Sequence, residues 1–347
     1  MAKLKNYVLY IFILAFGILL IVMSNQVSKE IITALNRCLS VIIPSLFSFM
    51  VFSDLVLKSE CYKIICKPFS LISRYIFRMD SNLFFVFLLG NICGYPIGYK
   101  LLNNLYSQGK ISKFTAELMS CYCYASGPSF VIGLVGITMF SSQTIGFVIF
   151  FANLLSNCVI AIILNHLVEM PRMQDESSIK PRISIVNSVQ SASKSMFLIC
   201  AMILLFASMI GILKGLNIFE SIKFDVLPFL EITNVVDMYI SYDIIPVISA
   251  FIAFGGVCVL FQLKSISEGV SLKYLIISRI PAVFLSAAFT RIIIGLFNIN
   301  YHVNAVQTYI SGKAINFTDS KSYLPAIIMV IMMFILILTK EKNPLKK

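Results

Sequence analysis

Long apolar runs alternate with short polar stretches along almost the whole chain. A transmembrane helix needs about 20 mostly apolar residues, and several runs are near that length. These runs lie at 7–23, 31–57, 144–167, 196–213, 275–297 and 324–338. The pattern predicts an all-α polytopic membrane protein in which most polar stretches are loops.

The composition supports a membrane protein and excludes an ordinary soluble domain. Of 347 residues, 59% are hydrophobic and 13% are charged, and the mean hydropathy is +0.90, whereas soluble domains carry about 25% charged residues. The net charge is +12, and Lys and Arg gather at the start, at 58–78 and at 340–347. Basic residues are typical of cytoplasmic loops, so we expect the lipid bilayer as a partner and no nucleic acid.

The first apolar run, 7–23, has Lys3 and Lys5 before it and therefore has two interpretations. A secretory signal peptide has such a basic flank, but it also has a small-residue cleavage site, and none follows this run. We expect a retained transmembrane helix within 1–30. In 58–80, Lys and Arg are interleaved with bulky apolar residues, which predicts a helix lying in the cytoplasmic interface.

Cysteine and histidine give no sign of a metal centre or a disulfide framework. Several of the nine cysteines lie in apolar runs, where cysteine acts as a small hydrophobe. His166 and His302 are the only histidines. We therefore expect no cofactor and no resident metal, and an enzyme is the least favoured class of function. The odd number of cysteines favours a reducing, cytoplasmic face.

The segment 83–100 begins like a membrane helix and is then interrupted by glycine and proline. Both residues weaken helical hydrogen bonding, and backbone freed at membrane depth must be buried in protein or line a wet cavity. The candidate substrate contacts here are Asn91, Gly94, Tyr95, Pro96, Gly98 and Lys100. The alternative is a kinked span with small residues for close packing, in which Lys100 reaches the interface.

A second break lies within the apolar sequence that follows. Its apolar remainder, 130–140, is too short to span a bilayer alone. Hydroxyls and free backbone amides at this break can contact a ligand, and the alternative is a tight turn between two short helices. The candidate contacts are Ser126, Gly127, Pro128 and Ser129.

In the second half, the segment 229–241 carries Glu231, Thr233 and Asn234. A carboxylate in an apolar sequence is costly unless it is paired, hydrated or bound to a cation. Glu231 is therefore a candidate for binding a coupling ion, Na⁺ or H⁺, or for contacting substrate together with Thr233 and Asn234. The alternative is a carboxylate at the membrane surface.

Further candidates follow in the next two apolar segments. Gly255 and Gly256 interrupt one of them, which ends at Gln262, and all three are candidate contacts. Arg291 lies in the last of these spans without a nearby acid, so it can meet an anionic substrate or pair with the carboxylate. Arg279, earlier in that span, can have the same roles. Either arginine can instead mark the cytoplasmic end of the helix, and that is the expectation for Arg279.

The order of the interrupted segments predicts two structural repeats. The polar stretch 169–182 divides the chain into halves, 31–168 and 183–297, and a polar loop with a C-terminal transmembrane helix follows in 298–347. Each half has one motif-bearing interrupted segment followed by a second glycine-containing break. Corresponding breaks in two halves are typical of inverted-repeat transporters.

The motifs GYPIGYKLLNNLYSQGKIS, SGPSFVIGLVG, LEITN and FGGVCVLFQ, in this order, resemble the YlbJ (SpoVV) family of sporulation integral membrane proteins. That family belongs to the nucleoside-recognition Gate domain superfamily, which is related to concentrative nucleoside transporters. The resemblance covers about 30–297 and implies inverted repeats with re-entrant hairpins and broken helices. It implies hairpin positions for 94–98 and 230–234, and unwound-helix positions for 126–129 and 255–256.

The resemblance also implies a function in endospore formation. The family's role is to move dipicolinic acid out of the mother cell across the outer forespore membrane, so we expect a small organic anion as substrate. Ile97, Tyr99, Tyr124 and Ala125 depart from the family pattern and reshape the expected pocket. The alternatives are a nucleoside or nucleobase-like solute carrier and a non-transporting spore-envelope assembly protein; a homo-oligomer stays open.

Overall fold

A computed structural model describes residues 2–59, 61–169, 171, 173, 184–217, 226–238, 244–267 and 269–299. The described residues form helices and contain no β-strand. The expected helix at 324–338 lies outside the described residues, as does most of the polar stretch 169–182. The prediction of an all-helical chain is confirmed over the described part.

The described helices are numbered in chain order. In order they are α1 (Ala2–Val22), α2 (Ser24–Arg37), α3 (Ile43–Ser59), α4 (Tyr62–Ile65), α5 (Ser70–Tyr75), α6 (Ser81–Ile92), α7 (Tyr95–Ser107), α8 (Lys113–Ser120), α9 (Gln143–Leu167), α10 (Ile185–Gly215), α11 (Leu227–Leu230), α12 (Ile244–Phe254), α13 (Val257–Ser265) and α14 (Lys273–Leu296). Two 3₁₀ turns, Lys67–Phe69 and Ile232–Asp237, and a π-helical segment, Ser129–Met139, lie between them.

Five helices in the described part are long and apolar enough to cross a membrane. They are the continuous helix Ser24–Ser59, then α9, α10, the pair α12–α13 and α14. Serine side chains fix where two of them begin: Ser142 accepts from the Ile145 amide at 3.4 Å and Ser184 from the Asn187 amide at 3.3 Å. The chain is therefore an α-helical integral membrane protein.

A π-helical turn, Cys38–Ile42, joins α2 to α3 within the first of these spans. It ends two residues before Pro44. Proline has no N–H and its ring crowds the preceding turn, and a wider π turn relieves both problems without ending the helix. The apolar stretch predicted at 31–57 is therefore one helix.

A helical hairpin is formed by α6 and α7. Asp80 caps the start of α6 by accepting from the Asn82 amide at 2.7 Å. The chain reverses at Gly94, whose φ of +103° favours glycine, and Pro96 follows in the first turn of α7. A Cβ added at Gly90 would lie 3.2 Å from the Gly98 Cα, so the two arms pack closely across the turn.

The chain turns again within the polar region 103–118. The structure has two helices there, because α7 ends at Ser107 and Gly109 turns the chain with a φ of +70°. Ser112 then caps α8 by accepting from the Thr115 amide at 3.1 Å. Ser112 is therefore the N-cap of α8.

Three helical segments are interrupted rather than continuous. Between α8 and the π-helical segment, residues 121–127 carry no regular helix. Gly255 and Gly256, both at φ +84°, separate α12 from α13. Glu231 adopts an extended conformation between α11 and the 3₁₀ turn Ile232–Asp237.

Large apolar side chains cover much of the surface of the spans, as expected of helices that face lipid. Examples are Phe151 on α9 and Phe284 on α14. The expected interfacial segment forms the short helices α4 and α5, which expose Ile64, Leu71 and Tyr75 beside basic residues. This mixture suits a position at the headgroup level.

Candidate functional site

A cleft lies where the hairpin tip meets the interrupted segments. It holds about 480 Å³ of empty space, its opening to the surroundings included. The residues that line it are Ile42, Ser45, Leu46, Gly94, Tyr95, Pro96, Ser126, Gly127, Phe130, Ile199, Ile203, Glu231, Ile232, Thr233, Val259 and Gln262. Among them Glu231 carries the one formal charge.

The cleft brings together many of the residues predicted to contact substrate. Those that line it are Gly94, Tyr95, Pro96, Ser126, Gly127, Glu231, Thr233 and Gln262. The other predicted contacts lie outside its lining: they are Asn91, Gly98, Lys100, Pro128, Ser129, Asn234, Gly255, Gly256 and Arg291. These eight predicted residues come from the α6–α7 hairpin, the break before the π-helical segment, the segment after α11, and α13.

The hairpin tip presents the start of α7 to the cleft. Gly94 has little free space, because an added Cβ would lie 2.9 Å from a Leu46 methyl group and 3.4 Å from the Gly127 amide nitrogen. The tip therefore touches both the first long span and the break at 126–127. The first backbone N–H groups of a helix lack intrahelical partners and carry partial positive charge, so this end of α7 favours a negative group.

Glu231 is 3% exposed and is held by its own neighbours. Its two carboxylate oxygens accept from the Thr233 amide, each at 3.1 Å, and one also accepts from the Thr233 hydroxyl. The Asn234 side-chain amide donates to the same carboxylate at 3.2 Å. No described Lys or Arg forms an ion pair with Glu231, and hydrogen bonds from Thr233 and Asn234 hold its carboxylate.

Arg37 fastens the polar segment after α11 to the first span. Its guanidinium donates to the Asn234 side-chain oxygen at 3.2 Å and pairs with Asp237 at 2.7 Å. Asn234 therefore joins the carboxylate of Glu231 to Arg37 without lining the cleft.

The glycine pair between α12 and α13 is packed against two other interrupted segments. A Cβ added at Gly255 would overlap the Tyr124 hydroxyl, and one added at Gly256 would lie 3.1 Å from the Ile232 amide nitrogen. Both glycines have a positive φ of +84°, where side chains are strained. They allow close approach of backbone rather than lining the cleft themselves.

Side chains from three elements satisfy the carbonyls left free at the end of α12. The Tyr95 hydroxyl donates to the Ile252 carbonyl, and the Tyr124 hydroxyl donates to the Phe254 carbonyl at 3.0 Å. Arg279 donates to the carbonyl between them, that of Ala253, at 3.3 Å. Since buried carbonyls need donors, these contacts explain how a helix can end inside the protein.

The break after α8 is satisfied in the same way. Asn91 donates to the Tyr122 carbonyl at 3.0 Å and accepts from Asn157 at 2.8 Å. Asn157 also donates to the Tyr124 carbonyl at 2.9 Å. Asn91 therefore links the hairpin to the break through its side-chain hydrogen bonds.

Arg279 is a further candidate for a functional role, and its position differs from the one that the sequence predicts. It was expected at the cytoplasmic end of a helix, yet it is 1% exposed and its guanidinium lies 4.7 Å from the centre of the Tyr124 ring. It also donates to the Cys121 carbonyl. The sequence does contain a signal for this role. Broken helices leave carbonyls that need hydrogen-bond donors, and an arginine within a membrane span can supply them.

The remaining predicted contacts lie apart from the cleft. Lys100 donates to the Ser191 and Ser195 hydroxyls of α10, both at 2.9 Å. Gly98 packs against the Cys123 carbonyl, which a Cβ would overlap. Arg291 and Ser129 are exposed, and Pro128 is half-buried at the start of the π-helical segment.

Apolar side chains that the sequence analysis did not single out complete the lining. They come from the first long span, the π-helical segment, α10, the turn after α11 and α13, and they are Ile42, Leu46, Phe130, Ile199, Ile203, Ile232 and Val259. In the sequence these positions look like any other membrane-helix residues. Only the packing of the helices distinguishes them.

Comparison with known proteins relates the chain to a sporulation membrane protein. Over 133 residues, or 38% of the chain, it is 29% identical to the sporulation integral membrane protein YlbJ of Bacillus subtilis (strain 168). The match spans 32% of that relative's length. No protein-family model matches the sequence, and no solved structure matches it.

Proposed function

We propose that the protein is a transporter that binds a small organic solute in the cleft. The observation that carries the proposal is the convergence of a hairpin tip and three interrupted helical segments on one cavity. In membranes, irregular backbone is tolerated where it is buried in protein or lines a cavity. Transporters place their substrate and ion sites at such interruptions.

The hairpin supports a re-entrant arrangement within the bilayer. The 12 residues of α6 rise about 18 Å, well short of the ~30 Å hydrocarbon core. Since the two arms pack together across Gly94, the hairpin enters and leaves the membrane on the same side. Its tip, and with it the cleft, then lies near the middle of the bilayer, with one repeat moving against the other during transport.

The proposed substrate is dipicolinic acid or a similar small organic anion, exported from the mother cell across the outer forespore membrane. The similarity to a sporulation membrane protein supports this context. The lining contains no Lys or Arg, so the anion is held by the start of α7 and by hydroxyl and amide groups. Because Glu231 would repel an anion, it takes up the coupling cation.

A nucleoside or nucleobase-like solute is the second candidate, and the chemistry of the lining favours it. Glu231, Thr233 and Gln262 offer hydrogen-bond acceptors and donors, and the surrounding lining is mostly apolar. A neutral heterocycle is recognised by such groups without a basic residue. It would also avoid repulsion from the carboxylate.

Solute counterflow in proteoliposomes tests both candidates. Vesicles loaded with unlabelled dipicolinate or uridine should accumulate the labelled form of the transported solute. Glu231→Gln should reduce this flux at least about tenfold, since the coupling cation loses its carboxylate. Accumulation of uridine alone would contradict the anion proposal and support the nucleoside proposal. No flux of either solute, with spore assembly still dependent on the protein, would favour an assembly role.

A further inference from the structure

Three consecutive carbonyls at the end of α12 are the starting observation. Those of Ile252, Ala253 and Phe254 accept from side chains of the hairpin tip, α14 and the break after α8. The Phe251 carbonyl before them accepts from the Gly255 amide at 2.8 Å. The four carbonyls that a helix leaves free at its end are thus all satisfied, and one of the donors is a permanent cation.

The same cation serves a second helix end. The guanidinium of Arg279 donates to the carbonyl of Cys121, just beyond α8, and to that of Tyr124 at 3.4 Å. Helix C-termini carry partial negative charge, and here two of them, those of α8 and α12, point their carbonyls at one group. No described carboxylate forms an ion pair with Arg279, so carbonyls and the Tyr124 ring are its counter-charge.

We propose that Arg279 is a tethered cation that takes the role that a bound metal cation has in broken-helix carriers. In such carriers, unwound carbonyls and half-helix C-termini coordinate Na⁺. Here the carbonyls of Cys121, Tyr124 and Ala253 form that ligand set, and the guanidinium fills it. The protein therefore needs no Na⁺ to hold its two helix breaks together, and we expect its transport to be independent of Na⁺.

Two features separate this position from the substrate cleft. Arg279 does not line the cleft, and its terminal guanidinium nitrogens donate to three backbone carbonyls and to the Ser278 hydroxyl. Tyr95 connects the two places, because it lines the cleft and caps Ile252, with its ring 4.8 Å from that of Tyr124. The claim about Na⁺ coupling rests on the proposed transport function, whereas the claim about the carbonyl site concerns the fold alone.

The wild-type protein gives the first test. Purified protein in detergent should have the same melting temperature in NaCl, KCl and N-methylglucamine chloride of equal ionic strength. Reconstituted protein should show the same flux in these salts. Selective stabilisation or stimulation by Na⁺ would overturn the proposal, because the protein would then need Na⁺ even with the guanidinium in place.

Arg279→Ala gives the second test through chemical rescue. Removal of the guanidinium leaves three carbonyls without this donor, so the melting temperature should fall by roughly 5–10 °C. Guanidinium chloride at low millimolar concentration should restore most of this loss, and urea, a neutral molecule of the same shape, should not. Lys273→Gln removes an exposed cation from the same helix and should respond to neither compound.

The outcomes also separate this proposal from the transport proposal. Rescue of Arg279→Ala by guanidinium supports the tethered cation even if the wild type moves no tested solute, in which case the proposed function fails by itself. Equal effects of guanidinium and urea, or no rescue, would overturn the tethered cation while wild-type flux stands. If Arg279→Ala cannot be purified, the wild-type comparison of Na⁺ with N-methylglucamine decides the matter.

Discussion

At the scale of single residues, buried polar side chains hold the interrupted backbone in place. Asn91, Tyr95, Tyr124, Asn157 and Arg279 each donate to a carbonyl that no helix satisfies. An unsatisfied buried carbonyl is costly, and more so away from water. These side chains therefore stabilise helices that are broken inside a membrane protein, because they supply the missing hydrogen-bond donors.

Tyr124→Phe removes one such donor and leaves the ring in place. We expect a loss of about 1–2 kcal/mol in unfolding free energy, because the Phe254 carbonyl keeps its burial and loses its partner. Unfolding in detergent followed by circular dichroism measures the change. Tyr75→Phe is the control, since Tyr75 is exposed; equal stability of the two variants would contradict the capping role.

The sequence identified some of these residues and missed others for a physical reason. Glu231 stands out because a carboxylate in an apolar stretch is costly wherever it lies. Arg279 differs, because its carbonyl partners lie 26, 155 and 158 positions away along the chain. Its role depends on long-range packing, which no local pattern records.

At the scale of elements, the glycines and prolines predicted the interruptions that the structure contains. The turn at Gly94 and the separation of α12 from α13 at Gly255 and Gly256 follow directly from backbone freedom. The extent of the neighbouring helices was harder to predict. The region 103–118 has helical composition, yet Gly109 and the cap at Ser112 divide it.

Gly98→Ala tests the close approach of the hairpin to the break after α8. The added methyl group would overlap the Cys123 carbonyl and come close to Gly90. Because these contacts are backbone atoms that cannot rotate away, we expect a loss of about 2–3 kcal/mol in unfolding free energy.

Gly133→Ala is the matched control for this substitution, since nothing lies within 4 Å of the added Cβ there. Thermal unfolding of the two variants under the same conditions gives the comparison. If Gly98→Ala were as stable as Gly133→Ala, the hairpin would not pack against the break as described.

At the scale of the whole molecule, the apolar and basic patterns set the membrane arrangement. Five helices of the described part can cross a bilayer. The basic segment 58–78 begins at the end of the first of them. The cleft was less accessible to prediction, because its apolar wall uses residues such as Ile199, Ile203 and Val259. Isoleucine and valine are common on surfaces that face lipid, the protein core or a cavity, so the residue type does not show which of these a position faces.

Cys61 reports the side of the membrane on which the segment 58–78 lies. It is the exposed member of the nine cysteines, and the basic residues around it predict a cytoplasmic position. A membrane-impermeant maleimide should label Cys61 only after the cells are permeabilised. Cys61→Ser should abolish that labelling, and labelling of intact cells would contradict the predicted topology.

Binding of labelled solute to purified protein tests most directly whether the cleft is the substrate site. Ser45 lines the cleft and Ser40 is exposed on the same long helix, and each serine hydroxyl donates to a carbonyl within one turn. The wild type should bind dipicolinate or uridine saturably, Ser45→Trp should weaken that binding at least about tenfold by filling the space, and Ser40→Trp should not change it. Equal binding by the wild type and Ser45→Trp would contradict the account.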